Sequence, residues 1–224
     1  MIYQEITSNK QKSVFLITIF TLILLGLGYL FAYAQNAPPE GYVFIALLVS
    51  TGSALFSYYG GDKVALATSG AQAIGKDENP YLYRIVENLS IATGLPVPKV
   101  YIINDSSINA FATGRSPEKA SIAVTTGALE KLENEELEGV IAHELSHVKN
   151  YDIRFMMLTA VLVGAISILA VFFLHSSQWF SGRRSDREGS EGRGIAMIVG
   201  IVFAILSPFV AQLIKLAVSR KREF

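Results

Sequence analysis

Four long stretches of this chain, Val14–Ala34, Gly41–Tyr59, Phe155–Leu174 and Ile195–Ile214, contain no Asp, Glu, Lys or Arg. Each runs for about 20 residues, enough for a helix to cross a ~30 Å hydrocarbon core, and each reads as a membrane helix. Gln35-Asn36-Ala37-Pro38-Pro39-Glu40 is a short polar turn between the first two, which predicts a helical hairpin. The third and fourth flank 175–194, a loop rich in Ser, Gly and Arg. Gly200 and Pro208 interrupt the fourth stretch and are tolerated in membrane helices.

Between the two pairs the polar positions return. Leu82, Ile85, Val86 and Leu89 recur at helical spacing, so Pro80–Thr93 is predicted as a helix capped by Asn79 and opened by a first-turn proline. Gly94–Pro98 breaks it. Lys99–Ile103 and Ala120–Thr125 are short β-type runs. Thr126–Leu132 reads as a short helix. Glu135–Lys149 reads as a longer one, with Asn134 as its cap.

The first apolar run has a rival reading. Lys10 and Lys12 precede an apolar core, and Ala32-Tyr33-Ala34 has the small-x-small outline of a signal-peptide cleavage site. The run is longer than a signal core and a second span follows at once, so an uncleaved membrane helix is the expectation. Lys10 and Lys12 before the run, against Glu40 alone in the turn after it, put the amino terminus in the cytoplasm. Two crossings return the chain there, and Arg220, Lys221 and Arg222 after the last run agree. Arg183, Arg184, Arg187 and Arg193 between the third and fourth runs oppose that pattern, which leaves a membrane-associated hairpin that does not fully span as the alternative there. An out-and-back hairpin returns to its starting face in either case.

Composition narrows the chemistry. Of 224 residues, 51% are hydrophobic and 17% charged, well under the ~25% charged residues of ordinary soluble domains. Lys plus Arg and Asp plus Glu number 19 each, so the global positive field of a nucleic-acid binder is missing. With no cysteine, any metal must be held by His, Asp or Glu. The chain has three histidines, and two of them fall in His143-Glu144-Leu145-Ser146-His147.

This H-E-x-x-H lies within the predicted 135–149 helix. Positions i and i+4 share one helix face, so both imidazoles can reach one metal ion. Glu144 sits beside them, where it can hold a water and take its proton during attack on a peptide carbonyl. Zinc suits two imidazoles and an open position. By residue frequencies the pattern arises by chance in roughly one of a few hundred such chains, and Ala142, Leu145 and Val148 give the helix an apolar side. His175, at the end of an apolar run beside Ser176 and Ser177, reads as an interfacial histidine. A catalytic zinc takes a third protein ligand. Asp152 lies just past the helix end and reads as a capping or orienting group that hydrogen-bonds a ligand histidine. Glu223 is the other carboxylate, favoured because the intervening out-and-back hairpin returns the chain to the face it left.

Asn109-Ala110-Phe111-Ala112-Thr113-Gly114, Ala123-Val124-Thr125-Thr126-Gly127, Glu136-Leu137, and His143 through Asp152 together resemble the HtpX heat-shock protease family, relatives of the zinc CAAX prenyl protease. The resemblance runs from the amino-terminal hairpin to the end of the chain. It implies one zinc per chain held by His143, His147 and Glu223, with Glu144 as catalytic base. The family pattern continues past this glutamate, whereas the sequence stops at Phe224, so truncation is the expectation. The resemblance also gives the β-runs a role: Ala110, Phe111, Ala112, Thr113 and Gly114, or Ser121–Thr125, would form an edge that binds extended peptide by main-chain hydrogen bonds. Arg115 and Asn109 remain open as oxyanion stabilisers.

The expected fold is therefore a membrane-integral α-helical protein with a small α+β zincin-like metallopeptidase domain. Residues 1–59 form the first transmembrane hairpin and 60–154 the cytoplasmic core. Residues 155–214 form a second transmembrane or membrane-associated hairpin, and 215–224 begin the segment with the third ligand. The expected function is zinc-dependent cleavage of misfolded or damaged membrane proteins, or of unfolded polypeptide, at the inner cell membrane. The bilayer is a partner and nucleic acid is not. A CAAX-type prenyl-protein peptidase and a catalytically silent membrane adaptor are the alternatives.

Overall fold

The computed structural model describes residues 2–34, 36–162 and 164. The third apolar run is described only as far as 164, and the fourth run, His175 and Glu223 lie outside the described residues. Helices α1 (Ile2–Ala34) and α2 (Pro39–Thr68) extend the first two apolar runs at their polar ends. Between them Asn36 takes a left-handed φ of 50°, and the Ala37 N–H returns to the Ala32 carbonyl. Both helices are long and apolar enough to cross a membrane, and little of their apolar surface is covered by protein. Val14, Phe15, Leu22, Phe44, Ile45 and Leu48 are among the large side chains left exposed along them.

The chain forms two compact units. One comprises, of the described residues, 16–55 and the chain from 159 to 164; in it Phe20 and Leu24 pack with Leu162. The other, which carries the H-E-x-x-H motif, comprises 1–15 and 56–158. It takes in the first fifteen residues of the chain and the last turns of α2, and so differs from the 60–154 span expected of the core.

This second unit is built on a four-stranded sheet in the order β1 (Ala71–Ala73), β2 (Lys99–Ile103), β4 (Ser121–Thr125), β3 (Ala110–Thr113). β2 and β4 run parallel; the two outer pairs are antiparallel. Alternation sorts the side chains onto two faces. Val100, Ile122, Val124 and Ala112 join Leu82, Ile85 and Val86 of α3 (Pro80–Thr93) and Leu137, Ile141, Leu145 and Val148 of α5 (Asn134–Lys149) in the main core. Ile103, Ala123, Tyr101 and Phe111 face the other way and pack with Leu66 near the end of α2.

The local signals explain these elements. Asn79 Oδ1 accepts the Leu82 N–H at 3.0 Å and Pro80 opens α3, as expected; Gly94, at φ 72°, ends it. α5 departs from expectation at its start. Glu133 is the cap, and Glu136 accepts its N–H at 2.9 Å. The Asn134 side chain is used elsewhere, accepting from the Tyr81 hydroxyl and donating to Glu138.

Two glycines are required by close approach. At Gly114, φ 138°, a Cβ would meet the Lys119 carbonyl oxygen at 2.4 Å, which lets β3 turn sharply into the short 3-10 turn Pro117–Lys119. At Gly127, in the short helix α4 (Thr126–Lys131), a Cβ would lie 2.3 Å from the Ser106 carbonyl oxygen. The 105–109 loop is bound there by Gly127 N–H to Asp105 O and by Thr125 Oγ1 to Ser107 O.

Gly127→Ala should therefore destabilise the detergent-solubilised protein by about 1–3 kcal/mol, the usual cost of overpacking. Gly139→Ala, in open space on α5, should stabilise it by roughly 0.5–1 kcal/mol. Thermal unfolding of the two variants, with shifts of opposite sign, checks the assignment.

Candidate metal and catalytic site

α5 is divided lengthwise. Leu137, Ile141, Leu145 and Val148 recur every three or four positions, and all are buried. His143 and His147 lie off this stripe, and Glu144, three positions after Ile141 and four before Val148, lies at its margin. His143 is exposed, Glu144 and His147 half-buried. The i, i+4 spacing brings His143 Nε2 and His147 Nε2 to 3.1 Å, with the rings nearly perpendicular at 89°. Two nitrogens each 2.0–2.1 Å from one tetrahedral ion stand about 3.3 Å apart. The pair thus has the spacing of two ligands on one zinc.

His147 is oriented from behind. Its Nδ1 lies 2.9 Å from Asp152 Oδ2. A carboxylate only accepts, so Nδ1 carries the proton and Nε2 keeps the lone pair that a metal needs. The His147 side chain is 12% exposed, shielded yet still reachable. Asp152 comes into place because the chain reverses at Tyr151, whose φ of 62° is left-handed for a non-glycine residue. Helix resumes at 152 and continues through 162.

Glu144 faces the sheet edge. Its Oε2 accepts the Ala112 N–H at 3.0 Å. The register explains why that donor is available. Thr125 N–H bonds to Asn109 O, so Asn109, Phe111 and Thr113 turn their backbone groups toward β4. Ala110 and Ala112 turn theirs away from it. β3 is the edge strand on this side; β4 lies between β2 and β3 with all five residues buried. Of the two expected edge candidates, Ser121–Thr125 is therefore excluded and Ala110–Gly114 is at the edge.

Arg115, the residue after Gly114, stacks its guanidinium on Tyr59 at 4.6 Å. Arg154 lies over Tyr151 at 5.0 Å and donates to the Arg115 carbonyl. The Glu118 carboxyl sits below the usual carboxylate range, chiefly because the Ser116 side chain and its own backbone N–H donate to it; Arg154 and Lys10 add smaller attraction.

Two contacts at the site were not read from the sequence, although Ala112 itself was an expected edge residue. The Ala112 N–H is a backbone donor whose direction depends on strand register. Asn9, in the first helix, donates its amide to Asp152 Oδ1 and, at 3.0 Å, to the Asn150 carbonyl. Among the described residues no three His, Asp or Glu side chains are placed together so as to hold a metal ion. The expected third ligand, Glu223, lies outside them. The donor set seen, two imidazoles with converging nitrogens and an adjacent carboxylate, fits zinc.

Asp152→Asn should keep the fold and reverse this logic. An amide can donate to Nδ1 and so favour the tautomer with its proton on Nε2. Zinc retention against a competing chelator should fall about 10–100-fold, as for other groups that orient a ligand histidine.

The family model described as Peptidase family M48 matches residues 76–224. A protease HtpX homolog of Tropheryma whipplei is 41% identical over the whole of this chain and 74% of its own length. Another, of Dictyoglomus thermophilum, is 42% identical over 99% of this chain and 71% of its own. A third, of Caldanaerobacter subterraneus, is 38% identical over the whole of this chain and 75% of its own. Among solved structures, S. mikatae Ste24p aligns with a TM-score of 0.46 at 16% identity, covering 96% of this chain and 53% of that one.

Proposed function

The chain belongs to peptidase family M48, among the HtpX proteases, and from that premise we propose that it is a membrane-bound zinc endopeptidase with a zincin-like site on α5. The observation that carries the proposal is the approach of His143 Nε2 and His147 Nε2 to 3.1 Å, with the Glu144 carboxylate hydrogen-bonded to the edge strand beside them.

His143 and His147 would hold the ion, with Glu223 as third ligand. Bound there, zinc supplies Lewis-acid polarisation of the scissile carbonyl and of the attacking water. Glu144 takes the proton of that water and delivers it to the leaving amine. The Ala112 N–H holds one carboxylate oxygen in place through this transfer. An extended peptide adds to the β3 edge through the outward N–H and C=O of Ala110 and the C=O of Ala112, the Ala112 N–H staying with Glu144. Main-chain recognition of this kind tolerates many side chains, which suits damaged or unfolded membrane proteins as substrates.

The two long apolar helices support a multi-pass protein of the cell membrane. Lys10 and Lys12 before the first, with Glu40 in the turn, support a cytoplasmic site. The contacts of Asn9 with 150–152 also favour an uncleaved first helix, since cleavage after Ala34 would remove them. A CAAX-type specificity is not favoured, because the curated relatives are HtpX proteases.

Glu144→Gln should retain zinc and lose at least about a hundredfold in cleavage of a loosely folded test protein, the usual worth of a general base. Undiminished cleavage would overturn the mechanism. His143→Ala or His147→Ala should lose zinc while the protein still inserts in the membrane. Glu223→Ala should weaken zinc binding and abolish activity; a fully active Glu223→Ala protein would remove that ligand from the set.

A further inference from the structure

The amino-terminal turns of α1 reach the metal-ligand helix from the far end of the sequence. Asn9 is 7% exposed, and its Nδ2 donates to Asp152 Oδ1 and to the Asn150 carbonyl at 3.0 Å. The other oxygen of Asp152 faces His147 Nδ1 at 2.9 Å. Asp152 therefore bridges an amide on α1 and an imidazole on α5. Asn9 is itself held: Lys12 Nζ donates to its Oδ1 at 3.3 Å, and Ser13 Oγ donates to its carbonyl at 2.8 Å. Lys10 lies 4.5 Å over the ring of Tyr151, the left-handed residue between the two acceptors of the Asn9 amide.

These contacts converge on one short reversal, Asn150-Tyr151-Asp152. A left-handed non-glycine residue costs roughly 1–2 kcal/mol, so this reversal needs support from outside. Asn9 supplies it in two ways. It satisfies the Asn150 carbonyl at the end of α5, and it fixes the rotation of the Asp152 carboxylate about its own axis. Without the amide, Asp152 can swing and His147 loses a fixed partner.

We propose that Asn9 is a positioning residue of the active site, acting through Asp152 on the His147 ring, so that the first turns of the apolar amino-terminal helix are a working part of the peptidase centre. The inference rests on the zinc reading given above. It also assigns α1 a role beyond anchoring: a site from which α1 is missing lacks the group that orients Asp152.

The test uses the full-length protein in detergent, with zinc retention against a chromophoric chelator and steady-state cleavage measured side by side. Asn9→Ala should lower zinc retention by about tenfold, the low end for groups that orient a ligand, and reduce kcat with little change in KM. The double variant Asn9→Ala, Asp152→Ala should be no worse than Asp152→Ala alone, because both substitutions break one chain of contacts. Additive losses would mean that Asn9 acts by another route and would overturn the proposal. Asn9→Asp fills the same space, removes the donor and sets a second carboxylate against Asp152, so it carries the test if the alanine variant does not accumulate; wild-type zinc retention in Asn9→Asp would likewise overturn it. Wild-type protein without zinc, or an active Glu144→Gln, would remove the zinc reading and this inference with it. A zinc-bound wild type, an inactive Glu144→Gln and unaltered Asn9 variants would overturn this inference alone.

Discussion

Helix α5 must bury one face and keep another open, and the rest of the site unit is arranged around that demand. Leu137, Ile141, Leu145 and Val148 need an apolar surface, each worth about 1.5–3 kcal/mol when fully covered. α3 and one face of the sheet provide it. The 3.6-residue period then sends His143 and His147 away from the buried stripe and leaves Glu144, seven positions after Leu137 and four before Val148, at the margin of that stripe beside the β3 edge. Lys149, in the last turn, donates to the Thr93 carbonyl at the end of α3, which ties the ends of the two core helices together. The reactive groups thus have their orientation set by the burial of the apolar stripe beside them.

Much of this was legible because it is local. Asn79-Pro80 marks the start of α3, Gly94 its end, and the His pair reads directly as one helix face. What the sequence hid depends on pairing across distance. β1 is three residues, Ala71–Ala73, with no alternation long enough to notice. Residues 120–125 read as β-type and 110–114 is an edge candidate through the resemblance alone, and which of them is the edge is decided by the parallel pairing of β2 with β4. Likewise Asn134 has the right chemistry for a cap, but Tyr81 and Glu138 claim its side chain and Glu133 takes the position.

The site divides in the same way. Asp152 was found because it lies five positions from His147. The Ala112 N–H that meets Glu144 lies 32 positions away, and Asn9 lies 143 positions from Asp152. A backbone donor has no residue type to betray it. A single Asn at the head of an apolar helix reads as part of the polar flank of a membrane span. Composition and periodicity describe what a residue would do among its sequence neighbours, and both of these groups act on residues brought near only by the fold.

The holding groups come from three different elements, and this bears on how firmly the centre is set. Glu144 is fixed by the edge strand, His147 by the reversal after α5, and Asp152 by α1. A carboxylate held by one hydrogen bond can still rotate; Asp152, bonded through both oxygens to partners on different helices, has much less freedom. The same holds for the backbone: the left-handed Tyr151 lies between Asn150 and Asp152, both bonded to the Asn9 amide. Strain of roughly 1–2 kcal/mol is comparable to one charge-assisted hydrogen bond, worth about 1.5–3 kcal/mol, so loss of one such bond is enough to shift the balance. The reversal is therefore maintained by its partners, and the imidazole that depends on it inherits its position from a helix at the other end of the chain.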